Sequence, residues 1–315
     1  MDDQKKPSIP AGGQWRDYIR RIDPDHITFD NLKGSAVLLG FPCDEGVRRN
    51  NGRPGAKSGP EAIRNTLGRL AWHHSGEVLD AGDIRCTGED LESAQAEFGK
   101  KMGQLLHAGS FPIGIGGGHE IAFGHYLGIR KFIQDGKLGI VNFDAHFDMR
   151  IPVENKGNSG TSFYQIARHC QEHRHTFDYL CIGLQKENNN AVLFDTADQY
   201  HAQWIKAPDV HFAYRETLKK DLERFLDKVD HVYLSFCLDV FNASIAPGVS
   251  AVNPLGLNPD IVLDLTRHLV MSGKVISFDL AELNPLYDID QRTARLAAAL
   301  IFHVVELLSC IGDNR

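Results

Sequence analysis

Six short apolar runs punctuate the chain, each long enough for one strand: SAVLLGF (35–41), FPIGIG (111–116), KLGIVNF (137–143), YLCIGL (179–184), HVYLSFCL (231–238) and KVISFDL (274–280). Several are continuously apolar rather than alternating, the pattern of strands covered on both faces. Between them lie longer helix-like stretches, about 59–71, 89–107, 120–134, 188–199, 215–228, 259–271 and 291–308. Pro60 and Pro259 suit first-turn positions, where a missing N–H costs nothing. Strand–helix alternation over most of the length predicts an α/β fold with a mainly parallel sheet. No linker rich in Pro, Gly or Ser interrupts it, so residues 34–315 read as one domain. Residues 1–33 are polar but carry Trp15 and Tyr18, and read as an arm over the surface.

Four unusual clusters fall at the carboxyl ends of these strands: GIGGGHE with His119, NFDAHFDMR with Asp144, His146 and Asp148, CLD with Cys237 and Asp239, and FDLAELNP with Glu282. In an open parallel sheet, ligands bind beyond the strand carboxyl ends. DAHFD is the most specific, because an extended segment presents i, i+2 and i+4 on one side. Two carboxylates and an imidazole that close repel and desolvate one another unless a cation intervenes. Such mixed ligation suits Mn, Fe or Zn rather than Ca. The competing reading is a solvated turn whose side chains pair with backbone amides. The Gly116–Gly118 run permits a tight turn. It matches neither phosphate-loop spacing, which favours clearance for an inward His119. Cys237 and Asp239 alone would pass for a buried thiol and a turn aspartate. His125 and the other histidines lack motif context and read as structural or surface residues.

Bulk composition narrows the setting. A net charge of −7 argues against non-specific nucleic-acid binding, which needs a basic surface. No run of about 18 apolar residues occurs, which predicts no membrane span. The start MDDQKKPSIP has no apolar signal core, and six scattered cysteines without a CxxC pair do not suggest a disulfide framework. A cytoplasmic protein is the expectation.

The four clusters, in this order, resemble the ureohydrolase family of arginase, agmatinase and their relatives, which carries GGxH, DAHxD, SxDxDxxxxxxAPG and a late acid before Asn-Pro. The likeness runs from about Ser35 to Pro285 and includes GRPGAKSGPEAIR (52–64) and SGTSFYQ (159–165). It implies a three-layer α/β/α sandwich and two Mn2+ ions bridged by hydroxide. By motif, His119, Asp144 and Asp148 would hold one ion, and Asp144, His146 and Asp239 the other. The family's second bridging carboxylate falls on Cys237, a softer ligand than Mn2+ prefers, which leaves open whether Cys237 ligates or only packs beside the metals. Phe163 takes the position of the arginases' proton-shuttle histidine.

Within the family, GGGHE, DEGVRRNNGRPGA (44–56), Arg150, SGTSFYQ, CIGLQ (181–185) and CLDV followed by APGVSA resemble the formimidoylglutamase branch. That branch hydrolyses N-formimidoyl-L-glutamate to glutamate and formamide in histidine degradation. The needs of such a hydrolysis make Asp148 the candidate to handle the reacting proton and Glu282 the candidate to orient the cationic formimidoyl group, with an ordinary strand-end acid as the alternative for Glu282. The substrate's two carboxylates would call for Arg48, Arg49, Arg53 and Arg150, helped by Ser159 and Thr161, with Asn51 and Gln185 as weaker candidates. For each arginine a surface ion pair is the alternative. Two rival expectations remain: a ureohydrolase for guanidinobutyrate, agmatine or arginine, and a non-catalytic protein on the same fold. Family members are often oligomeric, so a homo-oligomer is a further expectation of the likeness.

Overall fold

The computed structural model describes residues 12–26 and 32–312. Among these residues nine parallel strands form one sheet: β1 (Arg20–Arg21), β2 (Ala36–Phe41), β3 (Val78–Asp83), β4 (Phe111–Gly116), β5 (Leu138–Phe143), β6 (Asp178–Leu184), β7 (Gln203–Lys206), β8 (His231–Cys237) and β9 (Val275–Ala281). Their spatial order is β1-β3-β2-β4-β9-β8-β5-β6-β7. The α-helices are α1 (Trp15–Tyr18), α2 (Glu45–Arg49), α3 (Gly59–Leu67), α4 (Leu91–His107), α5 (Ile121–Ile133), α6 (Ser162–His173), α7 (Ala191–Gln199), α8 (Arg215–Leu226), α9 (Pro259–Met271) and α10 (Arg292–Gly312).

The inner strands are buried on both faces because helices cover both. Along β5, Val141 and Phe143 join a core with α3, α8, α9 and α10, while Leu138 and Ile140 join another with α5, α6 and α7. Along β2, Ala36 and Leu38 face the first layer, and Val37 and Leu39 face α4. This period-two division makes the expected three-layer sandwich. α4 and α5 approach at backbone distance: a Cβ on Gly128 would lie 2.3 Å from the Gly99 carbonyl oxygen. α10 is apolar and long enough to cross a membrane by length and composition. Its Ala297, Ile301, Val304 and Val305 instead belong to the main core.

All six predicted strands and seven predicted helices are present. Among the elements absent from the sequence reading, β3 ends in Asp80 and Asp83, which pair with Arg64 at 2.9 and 2.6 Å. β7 is a half-exposed edge strand. α6 hides inside the SGTSFYQ stretch, where only Phe163, Ile166, Ala167 and Cys170 mark a buried face. The described part of the expected surface arm contributes more than cover. Trp15 is fully buried against Trp72 and Phe302, and β1 extends the sheet edge along β3.

The sheet order explains why the clusters meet. β4, β9, β8 and β5 are consecutive neighbours, and Ile115, Leu280, Phe236 and Phe143 form one row across them. The residues just beyond that row open the four clusters. β1, β2 and β3, which precede β4 in the chain, lie on its outer side, while the chain runs outward from β5 through β6 to β7 on the other, so the direction of winding changes in this central region and ligands are expected beyond its carboxyl edge.

Candidate metal centre

Each turn beyond the row is held by backbone contacts. Gly117 N–H donates to Phe41 O, and Gly118 N–H to Cys43 O, both at 2.9 Å. A Cβ on Gly117 would sit 1.9 Å from the Cys43 oxygen, so the glycine serves close approach between two strand ends. Glu282 N–H donates to the Gly117 carbonyl at 2.7 Å, and His119 N–H returns a bond to Glu282 Oε1 at 2.9 Å. Asp148 and Glu282 both occupy left-handed backbone, with φ of 48° and 74°. Non-glycine residues adopt it at a cost of about 1–3 kcal/mol, which points to a constrained site.

The side chains converge on Asp144. His119 Nδ1 lies 3.1 Å from Asp144 Oδ2 and 2.9 Å from Asp148 Oδ2. His146 Nδ1 lies 3.5 Å from Asp144 Oδ1 and 3.2 Å from Asp239 Oδ2. Asp144 is steadied by Asn142 Nδ2 at 3.0 Å and by the His146 backbone N–H at 2.7 Å. Two ligand groups result, His119–Asp144–Cys237 and Asp144–His146–Asp239, each with its ligand atoms within 4.8 Å of one another. Asp239 Oδ1 is buried without a hydrogen-bond partner, and a buried bare carboxylate oxygen is costly unless a cation meets it. This donor set fits a pair of divalent ions.

The electrostatics agree. Burial opposes protonation of His119, yet Asp144 and Asp148 outweigh it and hold the imidazole well above its ordinary value. His146 is raised likewise against burial, chiefly by Asp239 and Asp144. Burial also opposes ionisation of Asp144, but His119 and His146 keep its carboxyl below the ordinary range. Asp148 is pushed up to about 6 by burial and by Asp144. Burial and neighbouring carboxylates push the Cys237 thiol and the Glu282 carboxyl well up. A carboxylate cage that draws protons onto its imidazoles is one that metal cations would neutralise.

Above the cluster opens a cavity of about 300 Å³, with His146, Asp148, Cys237, Asp239 and Glu282 in its lining. Arg53, Arg150, Ser159 and Asn51 line it too. Arg53 is largely engaged: it donates to the carbonyls of Ser250 and Val249, and its guanidinium lies 3.9 Å above the Tyr287 ring. Arg150 is exposed and makes a 3.4 Å contact with Asn50 Oδ1. Arg48, Arg49 and Thr161 stand outside the lining. Arg48 pairs with Glu45 and Glu89. Arg49 pairs with Glu45 and Glu92 and donates to the Gly157 carbonyl. Thr161 is buried and bonds Asn158 and Gln165. Gln185 is also buried and donates to the Leu255 carbonyl. Phe163 packs edge-on against the His119 ring at 5.4 Å and stacks on Tyr179.

Several site residues were not singled out by sequence. Asn50 bridges Ser159 and Arg150, and Ser235 Oγ lies 3.0 Å from His119 Nε2. The signal for Ser235 was present: it sits two residues before Cys237, on the same side of β8.

Comparisons with known proteins find relatives along most of the chain. A formimidoylglutamase of Clostridium tetani is 40% identical over 306 residues, covering 95% of this chain and 90% of its own. One from Geobacillus thermodenitrificans is 44% identical over 271 residues, with coverage of 85% and 83%. The crystal structure of Trypanosoma cruzi formiminoglutamase with Mn2+ superimposes with a TM-score of 0.77 at 28% identity, covering 87% of this chain and 93% of that one. The arginase family model matches residues 34–306, the span that contains every ligand converging on Asp144, and the chain belongs to the arginase family.

Proposed function

We propose that the protein is a metal-dependent formimidoylglutamase, converting N-formimidoyl-L-glutamate and water to L-glutamate and formamide in histidine degradation. The observation that carries this reading is the pair of carboxylate–imidazole groups sharing Asp144 beneath a cavity with arginine at its rim. The relatives described above support the substrate.

His119, Asp144 and Asp148 would hold one ion, and Asp144, His146 and Asp239 the other, with Cys237 beside His119 and Asp144. Manganese suits the oxygen and nitrogen donors, and when bound the pair supplies Lewis acidity that lets water ionise near neutral pH. Glu282 faces the cavity and is held by His119 N–H; a cationic formimidoyl group beside it would offset the burial that raises its carboxyl, and the resulting ion pair would orient the reacting carbon. Attack of the water oxygen on that carbon leads to cleavage of the bond to the glutamate nitrogen, which must gain a proton. Asp148, with a carboxyl held near 6, is the group to take a proton from water and pass it to that nitrogen. Arg150 is the arginine with donors most available to a substrate carboxylate, and Asn50 and Ser159 flank it.

The test is product analysis. Manganese-loaded protein incubated with N-formimidoyl-L-glutamate is expected to release formamide and glutamate in equal amounts. Release of neither would overturn the proposal, and urea from guanidinobutyrate or arginine at comparable efficiency would move it to another ureohydrolase.

A further inference from the structure

Behind His119 a chain of buried polar groups runs down into the sheet. His119 Nε2 lies 3.0 Å from Ser235 Oγ, and Ser235 Oγ lies 2.6 Å from Asp279 Oδ1. Asp279 Oδ2 meets His125 Nδ1 at 2.7 Å and also the Tyr233 hydroxyl. His125 Nε2 lies 2.6 Å from Ser277 Oγ, which lies 2.9 Å from the Pro112 carbonyl oxygen. All these side chains are fully buried. Ser235 follows Tyr233 by two residues on β8, and Asp279 follows Ser277 by two on β9, so alternate residues of adjacent strands build the chain.

The direction of each bond follows from what the end groups can do. A carbonyl only accepts, so the single Ser277 hydrogen goes to Pro112 O and Ser277 Oγ accepts from His125 Nε2–H. A carboxylate also only accepts, so the His125 Nδ1 contact to Asp279 is a bond donated by the imidazole. The Tyr233 phenol, pushed well up by burial and by Asp279, keeps its proton and donates to Asp279 as well. Asp279 likewise takes the one hydrogen of Ser235. Ser235 Oγ is then an acceptor toward His119, whose Nε2 must carry the hydrogen. That leaves Nδ1, the atom facing Asp144 and Asp148, as the nitrogen that presents its lone pair once a metal displaces its proton.

We propose that Asp279, acting through Ser235, is a positioning residue that fixes the His119 ring in its Nδ1-ligating tautomer. His125 and Tyr233 hold Asp279 in place, which gives His125 a defined role distinct from metal ligation. Among the described residues no such relay backs the second imidazole: His146 lies at the cavity, and its ring contacts are to Asp144 and Asp239. The relay therefore acts on one ion of the pair. The inference rests on His119 being a metal ligand, the reading given above.

The test compares the full-length wild type with Ser235→Ala, Ser235→Thr and Asp279→Asn. Mn2+ binding is followed by electron paramagnetic resonance, and anomalous scattering from crystals at sub-saturating Mn2+ assigns the filled site. Ser235→Ala is expected to weaken the ion beside His119 by about 10–100-fold, the usual effect of losing a partner behind a ligand. The ion at His146 and Asp239 keeps its affinity, so the coupled-pair spectrum gives way to that of an isolated ion. Ser235→Thr, which restores the hydroxyl, is expected to recover the pair, and Asp279→Asn to weaken the same ion as Ser235→Ala. Wild-type affinity at both sites in folded Ser235→Ala would overturn the proposal, as would equal weakening at both. Absence of Mn2+ from the wild type would instead defeat the metal reading itself. Thermal melting of the metal-free variants separates a local effect from loss of fold.

Discussion

Asp148 combines a left-handed backbone, a carboxyl raised to about 6 and contact with His119. Its pKa is raised by burial first and by Asp144 second, so below about pH 6 the metal-free carboxyl holds a proton that an incoming ion must displace. His119 and His146, raised well above their ordinary value, hold protons through neutral pH and must release them too. Metal binding is therefore predicted to release protons, and affinity to fall as pH drops, by about tenfold per pH unit for each proton displaced. Titration calorimetry in two buffers of different ionisation enthalpy checks this, and identical heats in both would contradict it. Cys237 was the ambiguous residue of the sequence, and its sulfur lies within ligand distance of the His119 and Asp144 donors. Because burial and carboxylates keep its thiol protonated, it is a poor partner for a hard cation. Cys237→Asp is predicted to tighten Mn2+ binding, measured by equilibrium dialysis. A fall in metal content would mean that the pocket is built around sulfur.

At the scale of elements, α2 and the loop after it decide which arginines reach the cavity. Charge and position in the sequence made Arg48, Arg49, Arg53 and Arg150 equivalent candidates. What separates them is capture: Glu45 on the same helix holds Arg48 and Arg49, Glu89 and Glu92 join it only in the fold, and the Ser250 and Val249 carbonyls hold Arg53. Arg49→Ala is predicted to destabilise the protein by about 1–3 kcal/mol in urea unfolding, through lost charged hydrogen bonds, with KM nearly unchanged. Arg150→Ala is predicted to raise KM by roughly tenfold or more while the fold stays intact, the loss expected of one charge-assisted bond. Steady-state kinetics on both variants checks the contrast, and a larger KM effect at Arg49 would reverse the assignment. The glycine contact between α4 and α5 gives a purely structural prediction. Gly128→Ala forces the helices apart and should cost about 1–3 kcal/mol, visible as a lowered denaturation midpoint.

Across the whole molecule, the metal cluster was readable because each of its four pieces is a local motif at the end of an apolar strand. Their meeting followed from the family likeness and not from the strand pattern, which does not state that β9 and β8 insert between β4 and β5. β3 escaped notice because its end is buried as an ion pair with Arg64 rather than as apolar surface, and β7 because an edge strand needs no continuous apolar run. The His119–Ser235–Asp279 relay was hidden for a related reason: its members lie on different strands and share a face only once those strands are adjacent. The central claim, that this arginase-family edge hydrolyses an anionic formimidoyl substrate, is tested most directly by a ratio of kcat/KM. The substrates are N-formimidoyl-L-glutamate and agmatine, which carries a guanidinium but no carboxylate. A site whose polar groups are built for carboxylates predicts a preference above about 10³ for N-formimidoyl-L-glutamate, with formamide as product. A ratio near unity, or urea as the main product, would contradict the account.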